Sequence, residues 1–168
     1  EIASCLVGSE MCIRDSTGAV LVSLLLLLTL AVSASAAAVK MTVGVRFWRE
    51  SGDKESMADS AVDTTREATL TRQPNGTFTL ELPVKQLSSM NMTGRLTGIA
   101  IGEVNYDGTL SGDLSDGTAV LTLKNLPASV LTGSDSSKAL AVTCSIKMDT
   151  ILLGDISTSA KMSIWVER

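Results

Sequence analysis

From Met41 the chain alternates: Met41, Val43, Val45 and Phe47 share one face while Thr42, Gly44 and Arg46 share the other, the period of two that marks a half-buried strand. Trp48 closes this run. After the turn residues Ser51-Gly52-Asp53, Ser56 stands where a hydroxyl can cap a short helix over Met57, Ala58, Ala61 and Val62, at most two turns long. Two further runs, Ala68 and Leu70, then Phe78, Leu80 and Leu82, flank Pro74-Asn75-Gly76. Asn-Gly between alternating runs predicts a β-hairpin. The segment from Leu87 to Val104 mixes Met90, Met92, Leu96, Ile99 and Ile101 with Gly94, Gly98 and Gly102, which predicts one or two bent strands that bulge at glycine. Asp107-Gly108 and Asp116-Gly117 read as turns, 119–123 as a strand, 131–138 as a loop, and 140–148 and 161–167 as the last strands.

Seven or eight short strands, one short helix and regularly spaced turns predict an all-β protein built as an antiparallel β-sandwich. A small β-barrel is the alternative. The pattern contains no internal repeat.

The first 36 residues break from this pattern. Ala19 to Val32 is an apolar run of h-region length, short of the roughly 18 to 20 residues a membrane span needs. Ala34-Ser35-Ala36 supplies a small-x-small cleavage site. Residues 17–36 are therefore expected to be a signal peptide cleaved near Ala36, with Ala38 as a nearby second site and an uncleaved signal anchor as the competing reading. Residues 1–16, EIASCLVGSEMCIRDS, open without Met and resemble a translated sequencing adaptor, so they are expected to be non-native. That leaves 37–168 as a single exported domain, secreted or held at the cell surface. Cys144 is its one cysteine, so packing and not an internal disulfide must hold it; a small buried hydrophobe is the expected role of that thiol.

Composition narrows the chemistry. The 168 residues include no histidine, which removes Ser-His-Asp and Cys-His catalysis, His-containing zinc sites and a proximal-His haem. With 14 basic and 18 acidic residues the net charge is -4, the wrong sign for a nucleic-acid partner. No catalytic residues and no metal site are expected, and the protein is read as a non-enzyme. Asp53, Glu55, Asp59 and Asp63 cluster around Met57 without the spacing of an EF-hand, and read as a solvated acidic loop that Lys54 partly neutralises. Asp107, Asp113 and Asp116 read as turn residues. Glu81 and Glu103 have nothing to fix the separation a glycosidase pair requires.

The order of motifs then carries a resemblance: a first strand VGVRFW, the cluster DKESMADSAVD, the hairpin TREATLTRQPNGTFTLELPVKQL, and MTGRLTGIAIGEV. Over Met41 to about Val104 this is similar to the NEAT domain, the haem- and haemoprotein-binding module of Gram-positive cell surfaces, an immunoglobulin-like β-sandwich. Its most specific piece is Ser-Met followed by a small residue between the first strand and an Asn-Gly hairpin. The resemblance implies that Ser56 to Ala61 form a short helix over a haem face, with Ser56 as the propionate contact, Met57 packed on the porphyrin and Ala58 as the small residue that follows. Ser56 as a plain N-cap and Met57 as core filler remain the alternative.

Haem-binding members carry Tyr-x-x-x-Tyr near the last strands, where this chain reads Gly154 to Met162 with no tyrosine; its single tyrosine is Tyr106. Some members of the family use methionine or lysine instead, and the resemblance makes Met57, Lys54 and Met162 the candidates here, a thioether being a legitimate axial ligand of haem iron. The resemblance thus implies an exported module that binds haem or a haemoprotein for iron acquisition, with non-tyrosine or no direct iron ligation. The alternative is an immunoglobulin-like interaction or adhesion domain of an envelope protein that holds no cofactor.

Overall fold

Among the described residues ten strands follow one another: β1 (Val39–Trp48), β2 (Ala68–Arg72), β3 (Phe78–Pro83), β4 (Leu87–Ser89), β5 (Met92–Ile101), β6 (Val104–Asp107), β7 (Thr109–Ser111), β8 (Val120–Leu126), β9 (Leu140–Met148) and β10 (Asp155–Val166). The computed structural model describes residues 38–89, 92–149 and 154–167. The adaptor-like segment, the signal peptide and its cleavage site, Met90 and Asn91 lie outside the described residues. No helix among the described residues is long and apolar enough to cross a membrane.

All pairings are antiparallel, in the order β4-β5-β9-β10-β1-β2-β3-β8-β7, with β6 also paired to β5. The key element is β1. Its first half, Val39 to Val43, pairs with β2, and its second half, Val43 to Trp48, pairs with β10, so one strand belongs to both layers. The end strands β4 and β7 do not pair with each other. The result is a sandwich and not a closed barrel.

Alternation places the core as the sequence pattern required. Val43, Val45 and Phe47 of β1 face Leu70, Leu80, Leu82, Leu121 and Leu123 of one layer and Leu96, Ile99, Cys144, Ile146, Met162 and Ile164 of the other; all are buried. The Asn-Gly hairpin forms between β2 and β3, closed by Gln73 N–H donating to the Thr77 carbonyl at 2.8 Å and by Asn75 Oδ1 accepting from Thr77. The glycine-rich segment bulges as its sequence predicts, the register of β5 on β9 shifting between Leu96 and Gly98.

Two features exceed the sequence reading. The described residues hold ten strands and not seven or eight because, beside the two into which the bent segment divides as the sequence allowed, β6 and β7 flank Gly108 in different layers: β6 pairs with β5, β7 with β8. A Cβ on Gly108 would lie 2.3 Å from Leu121 Cδ1, so only glycine lets the chain pass from one layer to the other here. The second is β10, which begins at Asp155 and not at Lys161. Its early part alternates Ile156, Thr158 and Ala160 against exposed Asp155, Ser157 and Ser159, an alternation too weakly apolar to stand out in sequence.

Candidate functional site

The Ser-Met-Ala segment is built by the end of β1. Beyond Trp48 the chain reverses, with Arg49 N–H donating to the Lys54 carbonyl at 2.7 Å and Ser56 N–H returning to the Phe47 carbonyl at 2.8 Å. Ser56 is extended at φ -76, ψ 158, and its hydroxyl oxygen accepts from Ala58 N–H at a long 3.4 Å. A single 3-10 turn follows over Met57–Ala61. Its far end is tied down by Lys85 N–H on the Ala61 carbonyl at 2.9 Å and by a bridge between Val62 and Val84.

A second clamp comes from Asp59. Its Oδ1 accepts from Phe47 N–H at 2.7 Å, both groups being buried. Burial pushes the Asp59 carboxyl above its ordinary value, opposed by the Phe47 amide and then by the Arg46 charge. Sequence reasoning placed Asp59 in a solvated acidic loop; the structure instead uses it to satisfy a backbone amide in the interior, where an unpaired N–H is costly. The signal available was its position at i+3 from the Ser56 cap, which fixes one face of a 3-10 turn.

The other acids separate as well. Asp53 is hydrogen-bonded by Ser51, which holds its carboxyl below the ordinary range. Asp63 accepts from the Thr65 hydroxyl at 2.6 Å, with the same effect. Glu55 pairs with Arg46 at 2.6 Å, so Arg46 takes the neutralising role expected of Lys54. No group of three or more acidic or cysteine side chains among the described residues could hold a metal.

The five expected contact residues divide. Met57 is 40% exposed and Lys54, three residues before it, is exposed, so both are open to solvent at the corner beyond β1. Ser56 is buried and acts as a cap. Ala58 is fully buried under the turn, turned to the core and away from any ligand. Met162 is fully buried in β10, one of the largest enclosed side chains of the core; its pairing opposite Phe47 and Leu140 turns the thioether inward. Ala58 and Met162, expected as haem contacts, thus both lie in the core. Tyr106 lies part-buried on β6. Cys144 is fully buried, its thiol pushed up to about 12 by burial, as expected of core packing.

A second cluster was not anticipated. On the outer face of β1 and β10, Gly44 pairs with Trp165, Arg46 with Ser163 and Trp48 with Lys161. Trp165 lies across Gly44: a Cβ there would stand 2.2 Å from indole Cε2 and Cζ2. Trp48 donates its indole N–H to Ser163 Oγ at 3.0 Å, and Ser163 is fully buried beneath it. The Arg46 guanidinium sits 5.9 Å from the Trp48 ring centroid, within cation–π range. A groove of about 240 Å³ runs from Trp165 past Arg46 to the loop bearing Asp63, Thr64, Thr65 and Glu67.

No protein-family profile and no curated protein matches the chain. Among solved structures it is similar to a mutant of IsdX2-NEAT5 in complex with heme, at 10% identity and a TM-score of 0.49, over 78% of this chain and 98% of that one.

Proposed function

We infer that the protein is an exported surface-binding module of NEAT type that takes haem, or a haem-carrying protein, at the corner formed by Lys54 and Met57. The observation that carries this reading is the Ser-Met-Ala segment itself: capped by Ser56 and clamped by Asp59, it leaves Met57 exposed, three residues after the exposed Lys54. A thioether suits an axial position on haem iron, and an ammonium suits a propionate. Ser56 contributes as a cap, its oxygen already engaged by Ala58 N–H. Export rests on residues 17–36 as a cleaved signal peptide.

The interaction-domain alternative has one observation in its favour. No tyrosine lies on β9 or β10; Phe47 and Phe78 stand in the core, Tyr106 on β6, and Trp48 and Trp165 on the outer face of β1 and β10. A haem pocket is ordinarily walled by such groups.

Haemin titration of residues 37–168 separates the two. A saturable, shifted Soret band near one equivalent, altered in Met57→Ala with the fold intact, supports haem uptake at this corner. A spectrum equal to that of free haemin, with wild type and variant alike, supports a protein-contact role.

A further inference from the structure

We propose that the open edge of β1 at Val45 docks an extended peptide, one that carries an apolar residue between two basic ones. Glu167 N–H donates to the Thr42 carbonyl at 3.1 Å, in the register that pairs Gly44 with Trp165 and Arg46 with Ser163. Hydrogen-bonded pairs fall at every second residue of an antiparallel ladder, so Thr42, Gly44 and Arg46 turn their main chain toward β10. Val43, Val45 and Phe47 turn theirs the other way. There Val43 meets Ala68 at the end of β2, and Phe47 meets the Asp59 carboxyl and the Ser56 amide. Between them the N–H and carbonyl of Val45 have no hydrogen-bond partner among the described residues.

These two groups open onto the groove of about 240 Å³ between β1 and the loop 62–67, which Val45 lines. Alternation sends the Val45 side chain to the core, where it is buried, so the groove meets its main chain. A donor and an acceptor left open on one strand residue are half of a ladder that an added strand completes. The gap runs only from Val43 to Phe47, roughly 13 Å along the strand, and the protein's own pairings close both ends. It admits one hydrogen-bonded residue and its two neighbours, and no long strand.

The lining selects the side chains. A residue opposite Val45 shares its face and points toward Val43, Val62, Ala68 and Leu82, all buried and apolar. Its neighbours point the other way, to the rim, which carries Asp63, Glu67 and Glu167. None of these three forms an ion pair among the described residues. Hydrogen bonding from Thr65 keeps Asp63 ionised. Of the two cations lining the groove, Arg46 is neutralised by Glu55 at 2.6 Å, which leaves Arg66 alone against three carboxylates. The Arg66 guanidinium is itself drawn to the carbonyls of Gly117 at 2.6 Å and Ala119 at 3.1 Å. The rim is therefore net negative, and lysine or arginine side chains on the neighbouring residues answer it.

The test follows the protein's amide NMR signals and their hydrogen exchange with three capped peptides: acetyl-SKVKS-amide, the same peptide N-methylated at its valine, and acetyl-SEVES-amide. In the free protein Val45 N–H should exchange faster than the amides of Val43 and Phe47, and the first peptide should shift it and slow it saturably. N-methylation removes the donor that reaches the Val45 carbonyl and should weaken binding roughly fivefold. The acidic peptide should not bind. Glu67→Gln combined with Glu167→Gln, both at exposed positions, should weaken the basic peptide roughly threefold and flatten its salt dependence. Denaturation midpoints establish that this variant is folded. A Val45 amide already as protected as its neighbours, no binding of the basic peptide, or equal binding of the N-methylated or acidic one overturns the proposal, as does unchanged binding by the double variant. Met57→Ala should take the basic peptide as wild type does, so this edge and the Lys54–Met57 corner succeed or fail separately.

Discussion

The corner at Met57 and the outer face at Trp165 are positioned by different kinds of contact. At the corner, neighbouring residues place one another: Ser56 caps Ala58 across two positions, and Asp59 reaches Phe47 across twelve. On the outer face, Trp48 is held by Ser163 across 115 positions, and Trp165 is placed by the register of β10 on β1. Local contacts leave a trace in the sequence that long-range register does not. Each change below either widens that contrast or collapses it.

The largest expected effect is at the two methionines. Met162 is fully enclosed while Met57 is 40% exposed. Met162→Ala should cost about 2 to 5 kcal/mol through lost burial and the cavity it leaves, whereas Met57→Ala should stay within about 0.5 kcal/mol. Urea denaturation of both measures this directly. Equal losses would mean that Met57 is core and that the corner presents no thioether.

Gly44→Ala probes the other region. The new Cβ would stand 2.2 Å from the Trp165 indole, so the ring must move, at about 1 to 3 kcal/mol for a forced repacking. A shift in Trp emission accompanied by lower stability is expected. Unchanged emission would show that Trp165 does not rest on this strand.

Asp59 tests the clamp. Asp59→Ala leaves Phe47 N–H buried without an acceptor and should cost about 1 to 3 kcal/mol; Asp59→Asn keeps an acceptor and should cost less. The pH dependence distinguishes the two states of the carboxyl. Because burial raises its folded value above the ordinary 3.8, the stability it contributes is complete below that value and is lost as pH rises through the folded one. The Asn variant should therefore gain on wild type as pH rises through this window. A difference that is flat with pH would place the carboxylate in water.

The sandwich was legible because strong alternation survives on both layers, as in Val43, Val45 and Phe47 or Leu80 and Leu82. The start of β10 was not, since Ser157, Thr158, Ser159 and Ala160 carry too little hydrophobic contrast to show a period. At the corner, Ser56 could be read as a cap from its place before the turn. What no periodicity gave was the fate of its neighbours. Within one 3-10 turn Met57 faces out, while Ala58 and Asp59 face in, and the burial of Asp59 follows from where β1 ends. Nor could the chain order reveal that two tryptophans, 48 and 165, share a face.

The smallest expected effect tests whether the two regions are independent. Besides the backbone bridge between Trp48 and Glu55, they are joined by an ion pair, Arg46 on the outer face and Glu55 just before the Ser56 cap, at 2.6 Å with side chains 36% and 55% exposed. An exposed pair of this kind contributes about 0 to 1 kcal/mol, so Glu55→Gln should barely move the denaturation midpoint. Its consequence lies in placement: Arg46 is also the cation over Trp48, and a guanidinium released from Glu55 has more freedom over that ring. Trp48 emission should then change while stability does not. Combined with Met57→Ala, Glu55→Gln should give additive changes in stability if the Glu55 side chain acts only through Arg46. A coupling above about 0.5 kcal/mol between them would mean that the local turn and the long-range face fold as one unit, and the contrast between them would be one of legibility alone.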